Sequence, residues 1–491
     1  MRLDDESTIK ERTWELHWKE VAVFDRNASS LGIDEFELML SASESLAKEA
    51  GAMSKGGSVL FLCGPGNNGG DGFLASCSET LSDSEVVVVA SHEKSKTSAS
   101  ARARESASSR STIHLWPEVP NRDWSLIVDC LLGAGFSGPG TEPRGKIGEI
   151  TSWVASCSSP VLSCDIPTGL GSQGAIVADR TVTFHSRKMW MSESGCGEVV
   201  VSKLPWPDSV VDCGIGDAAR YPVFSKDARK GDRGRLLVIG GGPYHGAPIL
   251  SGLAAARSGC DLVHVAMPSS ASGRTKWPNS LIPEILTDED YLTSESTGDI
   301  TELLDSPRRP QAMLIGPGMG REESTMEIVK DIISMASSKE IPVVVDADAI
   351  SSLPIGKWPE GLRGVATPHH GEAERWLSGT TPRKALQRSN GETAAIVVTG
   401  QRDEITGPGG RFCYATGGHP RMAVGGTGDL LAGLIGGLLA QGMAAWPASR
   451  LGCAVLREAG KRATRKTGPG LLAEDVPVHI AHTLSDWTRS A

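Results

Sequence analysis

The sequence predicts two α/β domains, each built on a mainly parallel β-sheet with helices on both faces. Short apolar runs such as "SVLFLCG", "SEVVVVA" and "SLIVDC", and later "GRLLVIGG", "IPVVVDAD" and "TAAIVVTG", alternate with longer helix-compatible segments. Uninterrupted runs of this kind are typical of strands buried on both faces. A polar, turn-rich segment at residues 212–235 separates the two series, and 491 residues exceed what one core usually organises. We place the boundary near Tyr221, giving domains 1–220 and 221–491.

Composition restricts the function class. Hydrophobic residues make up 39% of the chain and charged residues 22%, which is typical of globular domains. The formal net charge of -10 disfavours nucleic-acid binding, so small molecules are the expected partners. The ten cysteines include no C-x-x-C pair, the N-terminus lacks the apolar core of a signal peptide, and "LLAGLIGGLLAQGMAAW" is too short and Gly-rich for a membrane span. We expect a cytoplasmic protein without a membrane partner.

The first candidate site is "CGPGNNGGDG", Cys63 to Gly72, which follows a predicted strand. A Gly-rich segment between a strand and a helix places ligand chemistry at the carboxyl edge of a parallel sheet. Glycines let backbone N–H groups approach an anion, while Asn67, Asn68 and Asp71 add oxygens for a polar ligand or a hard cation. A tight turn would explain one or two of the glycines. The segment lacks the lysine of a Walker A loop.

Two further strand ends carry carboxylates. Asp129 ends the strand in "IVDCLLGAGFSGPG", and Asp165 ends the strand in "VLSCDIPTGLGSQG". Because parallel strands end at the same sheet edge, we expect these residues to share one site with the Asn-Gly segment.

These three segments resemble the NAD(P)H-hydrate epimerase family over residues 18–217, and Asp25, Gly32, Leu38 and Met39 match its N-terminal helix. The resemblance implies a Rossmann-like three-layer α/β domain in which Asp165 contacts the substrate as acid or base. It implies a potassium ion held by Asn68, Asp129 and Thr168. The residues implied to wrap the hydrated dinucleotide are Asn67, Asn68, Gly69, Gly70, Asp71, Gly133, Ala134, Gly135, Phe136, Ser137, Gly138 and Pro139.

The second candidate site is "MAVGGTGDLLAGLIGGLLAQG", where glycines precede an apolar, helix-compatible segment. Free N–H groups of Gly425–Gly428 at the start of that helix would form an anion site. Asp429 falls in the first helical turn, where it is either an ordinary capping carboxylate or a base beside a bound phosphoryl group.

The G-G-T-G-D loop resembles the ribokinase-like superfamily. "GRLLVIGGGPYHGAPILSG", "IGPGMGR", "VVVDADAI" and "TPHHGEAERWLSG" narrow the resemblance to ADP-dependent NAD(P)H-hydrate dehydratases, from about Lys230 onward. It implies a ribokinase-like α/β domain in which Asp429 is the catalytic base. The residues implied to contact the hydrated nucleotide are Ala247, Gly318, His369 and Asp429, and Gly428 would contact the donor nucleotide.

One position departs from that family. Thr399-Gly400 stands where the family has Lys-Gly, and that lysine helps to hold the nucleotide. We propose that Arg402, the cation of "VVTGQRDEI", reaches the phosphates instead; the alternative is a solvated surface arginine.

The resulting hypothesis is a fused repair enzyme, a homo-oligomer acting on the hydrates NADHX and NADPHX. The first domain would exchange their R and S epimers. The second would dehydrate the S form with ADP, or ATP, and Mg²⁺, and with ADP the products would include AMP and phosphate. The alternatives are a ribokinase-like small-molecule kinase with a non-catalytic N-terminal ligand-binding domain, and a non-catalytic binding or scaffold protein.

Overall fold

A computed structural model describes residues 12, 14–135, 138–191 and 195–489. The chain divides between Val210 and Val211 into two compact units, and Arg12 belongs with the second. The division precedes the boundary expected near Tyr221.

The first unit contains a wholly parallel sheet, which counts seven strands within the described residues. Their order is β3-β2-β1-β4-β5-β6-β7. The strand numbers fall from β3 to β1 and then rise from β4 to β7, so the strand order changes direction between β1 and β4. Open α/β sheets bind ligands at this position. The strands are β1 (Ser58–Cys63), β2 (Glu85–Ala90), β3 (Ile113–Leu115), β4 (Leu126–Cys130), β5 (Val161–Cys164), β6 (Arg180–Phe184) and β7 (Glu198–Ser202).

Both faces of this sheet are covered, as the apolar strands predict. Val59, Phe61 and Cys63 of β1 pack into one core, and Leu60 and Leu62 pack into the core on the opposite face. The side chains of a strand alternate between faces, so a strand that is apolar at every position fills two cores. The helices are α1 (Trp18–Ser30), α2 (Glu35–Ser54), α3 (Asn67–Ala75), α4 (Ser98–Ser108) and α5 (Gly145–Ala155).

The second unit contains a mixed sheet, which counts nine strands in the described part of the chain, in the order β10-β9-β8-β11-β12-β13-β14-β15-β16. The last two strands are antiparallel to their neighbours, which the sequence did not indicate. The strands are β8 (Arg235–Ile239), β9 (Leu262–Pro268), β10 (Ile282–Leu286), β11 (Ala312–Ile315), β12 (Val343–Val345), β13 (Gly364–Ala366), β14 (Ala394–Val398), β15 (Asp403–Thr406) and β16 (Phe412–Ala415).

The helices of the second unit include α12, the apolar segment predicted after the G-G-T-G-D loop. Every residue of α12 from Leu430 to Ala440 is buried, and the helix packs against α6, α13 and the sheet. Among the described residues, no helix is both long and apolar enough to cross a membrane. The helices are α6 (Gly246–Arg257), α7 (Ser269–Arg274), α8 (Thr297–Asp305), α9 (Glu323–Ser338), α10 (His370–Leu377), α11 (Pro382–Ala385), α12 (Thr427–Ala440), α13 (Ala445–Thr467) and α14 (Pro477–Arg489).

A buried ion pair attaches residues 211–220 to the second unit. Arg450 of α13 contacts Asp217 at 2.6 Å, and both side chains are 1% exposed. The Arg450 guanidinium also donates to the carbonyl oxygens of Val211 and Asp212. The side chain of Arg12 contacts the Asp212 carboxylate. These contacts explain why the division falls before residue 211.

Candidate active sites

The Asn-Gly segment forms the start of α3, so only residues 64–66 remain as a loop after β1. The glycines allow close packing there. A Cβ on Gly69 would lie 1.9 Å from the carbonyl oxygen of Gly64, and one on Gly72 would lie 2.7 Å from the Sγ of Cys130. The start of α3 borders a cavity of about 400 Å³, which Asn67, Asn68 and Asp71 help to line. The segment was expected between the strand and the helix, but residues 67–72 are part of the helix.

Asp165 lies at the same cavity, immediately after β5. Its backbone has a φ of 65°, a left-handed conformation that costs free energy for a residue with a Cβ. One carboxylate oxygen accepts from the N–H of Ala134 at 2.7 Å, and the other lies 2.7 Å from the Nζ of Lys188. Lys188 is 4% exposed and also donates to the hydroxyl of Thr183. The ammonium group therefore stabilises the negative charge of Asp165.

Asp129 and Thr168 are joined to each other by hydrogen bonds. Asp129 is fully buried, and its carboxylate accepts from the backbone N–H and the hydroxyl of Thr168, from the hydroxyl of Ser163, and from the N–H of Leu131. Burial raises the pKa of Asp129, and these hydrogen bonds oppose that rise.

Asn68 stands apart from this network. Both polar atoms of its side chain are buried and have no hydrogen-bond partner. A buried unpaired amide costs free energy, so it marks a place where a ligand or an ion is expected. Gly133 approaches it closely, because a Cβ there would lie 3.3 Å from the Asn68 Oδ1 and 2.9 Å from Asp165. Asn68, Gly133 and Asp165 are thus brought together.

Three other acidic side chains line this cavity: Asp25 of α1, Glu35 of α2 and Asp71 of α3. Burial raises the pKa of Asp25 to about 7, and repulsion from Glu35 and Asp165 adds to this effect. Burial likewise raises the pKa of Asp71 well above its usual value. Glu35 accepts a hydrogen bond from the amide of Asn67.

The remaining predicted residues of this site lie in the loop after β4. Gly135 lines the cavity, and Gly138 has a φ of 83° and packs against the indole of Trp18. Pro139 continues the same loop. Phe136 and Ser137 lie outside the described residues.

The second candidate site gathers the carboxyl ends of β8, β11, β12, β13 and β14. Gly316 and Gly318 follow β11, and Asp346 follows β12. A Cβ on Gly318 would lie 2.1 Å from the carbonyl oxygen of Tyr244, and its φ is 68°, so only glycine fits. Ala247 is the second residue of α6, which begins shortly after β8.

The G-G-T-G-D loop begins α12 as predicted. Gly426 is the N-cap with a φ of 96°, and Thr427 is the first helical residue. A Cβ on Gly425 or Gly428 would meet nothing within 4 Å. These two Cβ positions therefore border open space at the start of α12, where the first N–H groups of a helix lack helical partners and can bind an anion.

Asp429 lies close to a second carboxylate, Asp346. Burial raises the pKa of Asp429 to about 6. Burial also raises the pKa of Asp346 well above its usual value, and the negative charge of Asp429 adds to that effect. The hydroxyl of Thr367 donates to Asp346 at 2.7 Å. A base near neutrality beside a helix start can take a proton from a ligand hydroxyl.

His369 and Thr399 lie side by side, joined by a backbone bridge between the ends of β13 and β14. The Nδ1 of His369 caps α10 by accepting from the N–H of Gly371 at 3.0 Å. Gly400 lies near His370, because a Cβ placed on Gly400 would lie 3.1 Å from the Nε2 of His370.

Arg402 already has two neighbours. Its guanidinium stacks over the ring of Tyr414 at 3.7 Å and lies 3.7 Å from the Glu404 carboxylate. A second arginine, Arg457 of α13, holds the loop by bonding to Asp403 and to the carbonyl oxygen of Gly400.

Each unit matches the model of a known protein family. Residues 35–189 match the YjeF-related protein N-terminus, and residues 236–481 match NAD(P)H-hydrate dehydratase. The chain is 34% identical to a bifunctional NAD(P)H-hydrate repair enzyme of Hyperthermus butylicus, covering 96% of this chain and 92% of that protein. This chain belongs to the family of bifunctional NAD(P)H-hydrate repair enzymes. A second member, from Methanothermobacter thermautotrophicus, is 31% identical, with 93% of each chain covered.

The hydrate repair family accounts for both units, so neither alternative function is favoured: the relatives span the kinase-like unit and the N-terminal unit together. Among solved structures, a ribokinase-like superfamily protein from Enterococcus faecalis is 24% identical, with a TM-score of 0.45, covering 55% of this chain and 93% of its own.

Sequence reasoning missed several residues of both sites in this repair-family member. Lys188, Asp346 and Arg457 contact or adjoin predicted residues from distant parts of the chain. Asp346 stands directly after a buried strand in "VVVDAD", and that position was the available signal. No comparable pattern surrounds Lys188 or Arg457.

Proposed function

We propose that this protein repairs hydrated NADH and NADPH in two steps. The first unit exchanges the R and S epimers of the hydrate, and the second dehydrates the S epimer with ADP, giving NAD(P)H, AMP and phosphate. The observation that carries the proposal is that each unit, matched by its own family model, holds a candidate carboxylate, Asp165 after β5 and Asp429 in the first turn of α12.

In the first unit, Asp165 acts as acid or base on the hydrate. Its ion pair with Lys188 and its hydrogen bond from Ala134 fix the carboxylate at the cavity wall. The N–H groups at the start of α3 and the loop of residues 133–139 bind the dinucleotide.

Potassium fits the oxygen-rich corner beside this site. Asn68 offers a buried amide oxygen with no donor, and Asp129 and Thr168 offer carboxylate and hydroxyl oxygens. Ligands of this kind suit a hard cation. A potassium ion held by these three residues would supply a fixed positive charge near the substrate.

In the second unit, Asp429 accepts the proton of the C6 hydroxyl while that oxygen takes a phosphoryl group from ADP. Phosphate is a better leaving group than hydroxide, so it departs from C6 with the electron pair of the C6–O bond. A proton leaves C5 to solvent, and the dihydronicotinamide ring is restored. The N–H groups of Gly425–Gly428 bind the transferred phosphoryl group. Ala247, Gly318 and His369 contact the hydrate.

The donor nucleotide is placed by Gly428, Thr399, Gly400 and Arg402. Mg²⁺ enters with the phosphates, since the described residues form no cluster of three or more metal-ligating side chains of the His, Cys, Asp or Glu type. ATP is the alternative donor. A cytoplasmic homo-oligomer stays a prediction.

The test incubates the purified full chain with mixed R and S NADH hydrate, once with ADP and once with ATP, and follows the return of nicotinamide absorbance. Complete recovery from the mixture requires both activities, whereas recovery that stops when the S form is exhausted reveals dehydration alone. A stable phosphorylated product would contradict the proposal and favour a kinase.

A further inference from the structure

The cavity of the first unit carries a second carboxylate with the properties of an acid–base group. Asp25 reaches the cavity from α1, whereas Asp165 reaches it from the end of β5. The two residues therefore approach a ligand from different elements of the fold.

The surroundings of the two carboxylates differ. Asp165 is bonded to Lys188 and to the N–H of Ala134, which stabilise its charge. Within the described residues, no hydrogen-bond donor or cation contacts the carboxylate of Asp25, and the apolar side chains of Val21, Phe24, Leu38 and Trp206 line the same cavity. A carboxyl group without such partners, in a cavity with apolar lining, favours its neutral form, which can donate a proton.

Epimer exchange at C6 needs two such groups. The C6–O bond breaks as an acid protonates the hydroxyl, the ring nitrogen supplies its electron pair to form a C6=N bond, and water leaves. A second water adds to the opposite face, the electron pair returns to nitrogen, and a base takes the extra proton. The total number of protons is unchanged.

We propose that Asp25 is the second catalytic residue of epimer exchange, sharing one proton with Asp165, so that one carboxyl group protonates the departing hydroxyl while the other deprotonates the incoming water. This inference rests on the proposed epimerase function of the first unit. In the reverse direction the two carboxylates exchange roles.

The pH dependence follows from the environment of Asp25. Its pKa is raised to about 7, first by burial and then by Glu35 and Asp165, and Lys188 opposes the rise. Because the pair must hold one proton, exchange should slow as pH rises above about 7. The charged and titratable groups that line the cavity with Asp25 are Glu35 of α2, Asp71 of α3, Lys96 before α4, Asp165 after β5, and His185 and Lys188 after β6. Burial lowers the pKa of His185 to about 4, so this imidazole is neutral near pH 7.

The test compares Asp25→Asn, Asp25→Glu and Glu37→Gln in the full chain. Glu37 is exposed, lies next but one to the cavity residue Glu35 and does not line the cavity, so Glu37→Gln removes an equal charge as a matched control. Exchange is measured from pure R hydrate by chromatography, above the rate without protein. We expect Asp25→Asn to lower kcat about 10²- to 10⁴-fold with KM little changed, and Asp25→Glu to restore part of it.

The pH profile separates catalysis from a structural role. In the wild type, kcat/KM for exchange should fall above pH 7, and the residual activity of Asp25→Asn should lack that fall. An unchanged kcat in Asp25→Asn overturns the inference, as does a variant that loses only affinity and keeps the wild-type profile. If the wild type itself exchanges no epimers, the proposed function of the first unit fails instead.

Discussion

The two Gly-rich motifs of this protein use glycine for opposite purposes. In α3 the glycines have close neighbours, and a Cβ on Gly69 would lie 1.9 Å from a carbonyl oxygen. At the start of α12, a Cβ on Gly425 or Gly428 would meet nothing within 4 Å. Gly69 is therefore required for close packing beside a cavity, whereas Gly425 and Gly428 leave space at a helix N-terminus.

The two sites also differ in their charges. The first combines several acidic side chains with the buried Lys188, inside a cavity. The second places Asp429 beside Asp346 at the start of a helix. The first arrangement suits proton exchange without a co-substrate, and the second suits transfer of a phosphoryl group. Four experiments would test these differences between the two sites.

The largest effect is expected from substituting, one at a time, the two carboxylates that are proposed to be catalytic. Asp429→Asn should lower dehydration of pure S hydrate about 10²- to 10⁴-fold, because it removes the base, and should leave epimer exchange unchanged. Asp165→Ala should do the reverse. The measurements are nicotinamide absorbance with ADP and chromatography of the epimers. If either variant impairs both reactions equally, the two sites are not independent.

The glycines should respond differently to one added methyl group. Gly69→Ala should lower the free energy of unfolding of the first unit by about 1–3 kcal/mol or more, because its Cβ overlaps the Gly64 carbonyl. Gly428→Ala should keep stability within about 0.5 kcal/mol or raise it, while the KM for ADP rises. Denaturant unfolding and steady-state kinetics check the pair. Equal losses of stability would remove the distinction between the motifs.

The two reactions should lose activity at opposite ends of the pH range. Burial raises the pKa of Asp429 to about 6, and a base acts only when ionised. The rate of dehydration should therefore approach its maximum as pH rises above about 6, and it should fall about tenfold per pH unit well below pH 6. Rates measured between pH 4.5 and about 8 on saturating S hydrate check this expectation. A profile that stays flat through pH 5 would contradict the role of Asp429 as base.

The smallest effect is expected at Arg402. A charge-assisted hydrogen bond to a phosphate contributes about 1.5 kcal/mol, and leaving the ring of Tyr414 costs about 0.5–1 kcal/mol. Arg402→Ala should therefore raise the KM for ADP only about threefold, and Thr399→Lys should lower it. An unchanged KM in Arg402→Ala would show that this arginine, which contacts Tyr414 and Glu404, plays no part in binding ADP.

The sequence predicted those features that arise from local patterns. Asp129 at the end of β4, Asp165 after β5 and Asp429 in the first turn of α12 all lie where strand ends and a glycine pair placed them. Local pattern could not predict that residues 67–72 are helical, because glycine usually disfavours helices and only close packing explains it. Lys188 and Arg457 were also beyond reach, since their partners are distant in sequence.

The buried pair of Arg450 and Asp217 decides where a fused gene of this kind can be separated into two. A fragment that starts at residue 221 would leave the Arg450 guanidinium buried without its carboxylate, and removing one partner of such a pair typically costs about 3–5 kcal/mol. A fragment that starts at Val211 keeps the partner and both backbone acceptors. An ancestor with separate genes would therefore have carried residues 211–220 at the head of its second product.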